Sequence, residues 1–146
     1  MPGLQEAEAS VSQVAANKAI VQRYFAAWDA NDTLALAEFI APDVTDHMAY
    51  EGQGEGLAGY RAFFAHWHSA FPGFHSTIDE IIAEGDSVAV RWRFHGIQRG
   101  WYHDIAPTGR AVSFSAMSVM HIRDGYITDE WVIQDEHGLR RQLLGE

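Results

Sequence analysis

A layered α+β fold, with three N-terminal amphipathic helices packed on a curved antiparallel sheet, is what the amino-acid sequence predicts. Two observations predict it. Apolar residues recur at three- and four-residue steps as far as Pro72, and beyond Gly73 they alternate one in two. Helices gathered ahead of a meander, without alternating strand–helix units, disfavour a parallel doubly wound sheet or a β/α barrel.

From Ser10 to Ala30, the residues Val14, Ile20, Val21, Tyr24, Phe25 and Trp28 mark a long helix capped by a serine. A second, shorter helix is expected from about Asp32, carrying Leu34, Leu36, Ala37, Phe39 and Ile40, with Pro42 closing it. Val44 to Tyr50 reads as extended. Four glycines between Glu51 and Gly59 form a connection to a third helix, striped by Tyr60, Phe63, Phe64, Trp67 and Phe71 and ended by Pro72. Strands are then expected over Ser76–Ala83, through Val88, Val90, Trp92 and Phe94, over Ala111–Arg123, and over Tyr126–Asp135. Turns at Glu84-Gly85-Asp86 and Asp124-Gly125 join them in hairpins.

The 146 residues suit one domain, which at this size buries about 68–70% of its unfolded surface. No repeat or linker divides the chain, so the expected organisation is a flexible tail over residues 1–10 and a single domain over 11–146. The net charge of −10, with Lys18 the only lysine and the arginines scattered, gives no basic stripe for nucleic acid or anionic membranes. Cysteine is absent, which excludes disulfides and thiolate chemistry and fits a reducing cytoplasm. No signal-peptide core opens the chain, and no apolar run approaches a membrane span. A cytoplasmic protein is expected.

A curved sheet folded over helices leaves a cone between the layers, and a small-molecule site is expected in it. Asp135 ends the last expected strand on the parity of Trp131 and Ile133, so a carboxylate points inward if those two large side chains do. Burial there raises a carboxyl's pKa and makes it a usable acid and base near neutral pH. The other reading of Asp135 is a cap on the turn before His137-Gly138, and parity alone leaves both open.

Among eight histidines, His66 and His68 are two apart on a helix and point in different directions, and no HExxH spacing appears, so no metal site is expected. His47 on the extended segment and His121 beside the final turn are the better cavity candidates. A two-residue turn at Asp124-Gly125 pairs odd with even positions and sets His121 across the sheet from Asp135, whereas a three-residue loop with a glycine bulge reverses this. Trp28, Phe64, Trp67, Trp92, Phe114 and Trp131 lie on elements that converge, and such rings suit a flat conjugated ligand, although stripes of this kind more often form core. There is no GxSxG elbow, phosphate loop or GxGxxG, and the GQGEG run lacks a lysine, while Glu51 just before it and Glu55 within it repel phosphate.

Several pieces together resemble the SnoaL-like polyketide cyclase family of the NTF2-like superfamily, from about Asn17 to Gly145. They are Asp46-His47, Gly56, Phe71-Pro72, the Ala83 to Val88 hairpin followed by Val90-Arg91-Trp92, and Pro107-Thr108-Gly109-Arg110. Asp124-Gly125, Ile127, Glu130-Trp131, Asp135, Gly138-Leu139 and Gln142-Leu143 complete the set. The resemblance implies a cone-shaped α+β barrel, a homo-oligomer such as a homodimer or homotetramer, and chemistry without a cofactor. It also implies an aspartate at Asp135 as general acid and base, with His47 and His121 near the cavity. The reaction it implies is intramolecular aldol closure of an aromatic or polycarbonyl substrate. Cofactor-free hydroxylation, isomerisation, or a non-catalytic ligand-binding or dimerisation role are the alternatives within the same fold.

Overall fold

The computed structural model describes residues 3–146. Helix α1 spans Leu4–Ala30 and α2 spans Gly56–Ala70, and strand β1 is Ile40–Asp46. They are followed by β2 (His75–Glu84), β3 (Ser87–Ile97), β4 (Ala111–Arg123), β5 (Tyr126–Gln134) and a last helix, α3 (Glu136–Leu144). The strands form one curved, unclosed sheet in the order β1-β5-β4-β3-β2. β1 joins its edge parallel to β5, and the other pairs are antiparallel.

The architecture is the expected helix-on-sheet layering, with two differences in where its helices lie. The second expected helix is a single 3₁₀ turn, Ala35–Glu38, because Ile40 already begins β1 and Ile127 N–H donates to the Phe39 carbonyl at 2.8 Å. Pro42 therefore sits in an edge strand, where a missing N–H is tolerated, rather than at a helix end. The expected third helix is α2, and a helix outside the expected N-terminal set, α3, follows β5. Asp135 caps its start, Leu139 and Leu143 bury its inner face, and Gly145 closes it in the left-handed conformation at φ 75°.

Helix α1 runs through residue 10 without a break, exposed from Leu4 to Gln13 and with its buried residues from Asn17 onward; Met1 and Pro2 of the expected tail lie outside the described residues. The buried Asn17 amide donates to the Gly85 carbonyl at 3.1 Å and ties the helix to the β2–β3 turn. In α2, a Cβ at Gly59 would collide with the Gly54 carbonyl, so only glycine lets the loop lie this close to the helix. The core fills the space between the inner face of the sheet and these two helices. Val112, Phe114, Ala116, Met120 and Ile122 alternate inward on β4 and pack towards Val21, Phe25, Phe64 and Trp67.

The β4–β5 hairpin turns on two residues, Asp124 and Gly125, both at positive φ (51° and 81°), which is the type I′ geometry that suits strand twist. Pairing runs Arg123 with Tyr126 and Ile122 with Ile127, then slips, so that His121 faces Asp129 and Met120 faces Glu130. Thr128 is the extra residue of a β-bulge. One extra residue flips every side chain beyond it to the opposite face of the strand. Ile127, Glu130, Val132 and Gln134 thus face the helices, while Asp129, Trp131 and Ile133 face outward.

Candidate active site

Glu130 is 2% exposed, and two phenols reach it from the two helices. Tyr60 of α2 and Tyr24 of α1 both donate to its Oε1, at 2.9 and 3.2 Å. Helical periodicity explains the placement: Tyr24 lies between Val21 and Trp28 on the buried stripe of α1, and Tyr60 lies one turn before Phe64 on that of α2. Burial pushes the Glu130 carboxyl up to about 8, and the negative charge of Asp46 adds to this, while the two tyrosine hydrogen bonds pull the other way. The same burial, with Glu130 beside them, raises both phenols far above their ordinary range, so they remain donors.

Glu130 forms part of the wall of a narrow hollow between sheet and helices. Trp28, Phe63, Trp67, Trp92, Phe114, Ser118, Val132 and Gln134 complete most of that wall. The Trp92 indole N–H donates to Ser118 Oγ at 2.9 Å, whereas the buried Trp28 indole N–H has no partner among the described residues. The hollow is small, about 20 Å³, room for about one water. It backs onto a mouth of about 370 Å³, and Phe63, Trp67, Val132 and Gln134 line both. Tyr50, His66, Tyr102, His103, Asp46 and Glu136 rim that mouth. Glu136 is engaged there, accepting from the Tyr102 hydroxyl at 2.6 Å and the Gln134 amide at 2.8 Å.

Four of the expected ligand-facing rings, Trp28, Trp67, Trp92 and Phe114, do line the hollow. Phe64 is fully buried behind it, packed edge-on to Trp28 and Tyr24. Trp131 requires correction: it lies on the outer face, stacked on the His47 imidazole at 4.0 Å between centroids. His47 is outside as well, its Nε2 at 2.9 Å from Asp129 Oδ1, and His121 sits edge-on to Trp131 at 4.8 Å.

Asp135 requires the same correction. Its exposed carboxylate accepts the Gly138 N–H at 2.9 Å as the N-cap of α3, and it borders an outer groove shared with Asp79, Arg91 and Met117. The bulge at Thr128 is the physical reason for both corrections, since it turns the Trp131–Ile133 row outward and Glu130 inward. The cap reading of Asp135 is the one the geometry supports. The alternation of β4, carried through a two-residue turn and one bulged residue, is the signal that leads to Glu130.

A mostly antiparallel curved sheet, two covering helices and a titratable carboxyl inside an aromatic hollow together make a candidate small-ligand site in an α+β fold. The comparisons with known proteins give this class its family. The family model of the SnoaL-like polyketide cyclases matches residues 18–143, and the chain belongs to that family. TsrD from Streptomyces laurentii is 28% identical and superposes with a TM-score of 0.82 over 88% of this chain and 95% of its own. IdmH from Streptomyces antibioticus, described as a candidate polyketide cyclase, is 25% identical over 89% of this chain and 99% of its own, with a TM-score of 0.78. AclR from Streptomyces galilaeus, described as a candidate hydroxylase, is 25% identical over 91% and 83%, also at 0.78. No curated protein matches. Among the described residues, no helix is long and apolar enough to cross a membrane.

Proposed function

We propose that this chain is a cofactor-independent enzyme that closes a ring in an aromatic or polycarbonyl substrate by intramolecular aldol condensation, with Glu130 as its acid. The observation that carries this reading is the buried Glu130 carboxyl on the wall of the hollow, fixed by Tyr24 and Tyr60. A carboxyl raised to about 8 is mostly protonated at neutral pH and can give its proton to the acceptor carbonyl as the carbon–carbon bond forms. The two phenols then hold the carboxylate left behind, so its ionisation is not opposed by burial alone. The hollow takes only the reacting carbonyl, and the body of the substrate rests in the mouth against Phe63, Trp67, Tyr50 and Tyr102.

The exposed Met117, Val119 and Ile133 of the outer face are the surface on which a second copy would sit in the homo-oligomer that the family resemblance implies. Glu130→Gln keeps an acceptor for the tyrosines and removes the acid. A flat aromatic ketone, 2-acetylnaphthalene, reports on the chemistry through hydrogen–deuterium exchange at its methyl group, followed by NMR. The variant is expected to lose about 10²–10⁴-fold in protein-accelerated exchange while still binding the ketone. Exchange at the wild-type rate in Glu130→Gln would remove Glu130 from the reaction.

A further inference from the structure

The ring closure just described leaves one proton without an acceptor. Glu130 is mostly protonated near neutral pH, so it donates, and the proton on the carbon next to the donor carbonyl has to go to another group. The mouth contains one imidazole whose surroundings suit that task. His66 lies on α2 between Phe63 and Trp67, two residues that wall both the hollow and the mouth. Its Nε2 is buried without a hydrogen-bond partner among the described residues. Leaving a buried polar atom unpaired is unfavourable, and it persists where a ligand is the missing partner.

We propose that His66, through Nε2, is the base that takes the carbon-bound proton, and that it works opposite Glu130 across the substrate. The inference rests on the ring-closing reading above. Both groups are tied to one helix. Tyr60, which holds Glu130, and His66 are six residues apart on one helix, about 9 Å along its axis at about 1.5 Å per residue.

The step balances without a co-reactant. The C–H bond breaks, its proton goes to Nε2, and its electron pair forms the enolate, which attacks the acceptor carbonyl carbon. The acceptor oxygen takes the proton of Glu130, leaving an imidazolium and a carboxylate, and the return of one proton from the imidazolium to the carboxylate resets both groups. Burial, and then the neighbouring His103, lower the His66 pKa, so the ring is neutral near pH 7 and free to accept a proton. Tyr50, Tyr102 and His103 ring the imidazole at 5.2, 6.0 and 4.7 Å between centroids. Asp46 and Glu136 line the same mouth. His103 is held over His66 in a left-handed conformation, φ 48°, which residues other than glycine avoid.

The experiment uses the same exchange of 2-acetylnaphthalene with wild type, His66→Gln, His66→Ala and Glu130→Gln, each over a range of pH. The wild-type rate is expected to fall on the acid side as His66 protonates, and His66→Gln to lose about 10²-fold or more together with that acid limb. Free imidazole should restore part of the rate in His66→Ala, which a purely structural histidine would not allow. A wild-type rate in His66→Gln alongside a lost rate in Glu130→Gln overturns the role of His66 and leaves the acid reading standing. A lost rate in His66→Gln with Glu130→Gln unaffected overturns the pairing through its acid. No acceleration by the wild-type protein overturns both.

Discussion

Asp129 and Glu130 are neighbours on one strand, yet the two faces of the sheet push their carboxyls in opposite directions. Glu130 faces the helices, loses its water and rises to about 8. Asp129 faces outward, where the His47 hydrogen bond holds it below the ordinary carboxylate range, helped by the Thr128 hydroxyl. Both have hydrogen-bond donors, so donors alone do not decide the outcome. Burial outweighs two phenols on the inner face, and an imidazole outweighs weak desolvation on the outer one. The sheet thus separates a carboxyl that keeps its proton from one that gives it up readily, by the direction a side chain points.

The largest way to break the contrast is to remove the buried ionisation. A folded-state pKa raised from 4.5 to about 8 means that the folded protein binds the extra proton between those values. This stabilisation is complete below about pH 4.5 and is lost as pH rises through about 8. Thermal unfolding of wild type should therefore weaken steadily across this window, while Glu130→Gln shows no such slope from that position. Even half of the indicated shift corresponds to about 2 kcal/mol, so the variant is expected to be the more stable protein above pH 8. Parallel melting curves at all pH values would show that Glu130 ionises as freely as a surface residue.

The site was less legible in the sequence than the fold, and one residue accounts for much of the difference. Helical and strand periods are local, so α1, α2 and the four strands from β2 to β5 follow from the spacing of their apolar residues, and so do the rings of Trp28, Trp67, Trp92 and Phe114. The face of β5 is not local, because it depends on the register with β4. Counting from Ile127 without a bulge puts Asp129, Trp131, Ile133 and Asp135 inside, and the large apolar side chains of Trp131 and Ile133 make that parity persuasive. The bulge at Thr128 reverses it and leaves Ile133 71% exposed. Helix α3 was legible in principle, from Asp135 as cap, Leu139 and Leu143 four apart, and Gly145 at its end. The short apolar run from Leu34 to Ile40 fits helix and strand alike, and tertiary pairing with β5 decides it.

A smaller effect sharpens the contrast at the end of β5. If Asp135 serves only as the cap of α3, Asp135→Ala should cost about 1 kcal/mol in urea unfolding, the usual worth of such a cap. Asp135→Asn, which still accepts the Gly138 N–H, should cost much less. Neither should change the exchange of 2-acetylnaphthalene, in contrast to Glu130→Gln. A loss of rate in Asp135→Asn, with stability intact, would return the chemistry to the outer side of the sheet.

The smallest effect is expected from Asp129 itself, whose carboxylate and His47 partner are both partly open to solvent, at 27% and 34% side-chain exposure. Its folded pKa lies below the ordinary 3.8, so its contribution is present above that value and disappears as pH falls through the lowered one. Solvent and salt screening limit it to about 1 kcal/mol or less. Asp129→Asn should therefore be slightly less stable than wild type at pH 7, and the gap should close in acid and narrow in high salt. The imidazole of His47 is also stacked on Trp131, at 4.0 Å between ring centroids. A gap that persisted unchanged in acid and in high salt would mean that stacking, rather than the ion pair, holds that ring on the outer face.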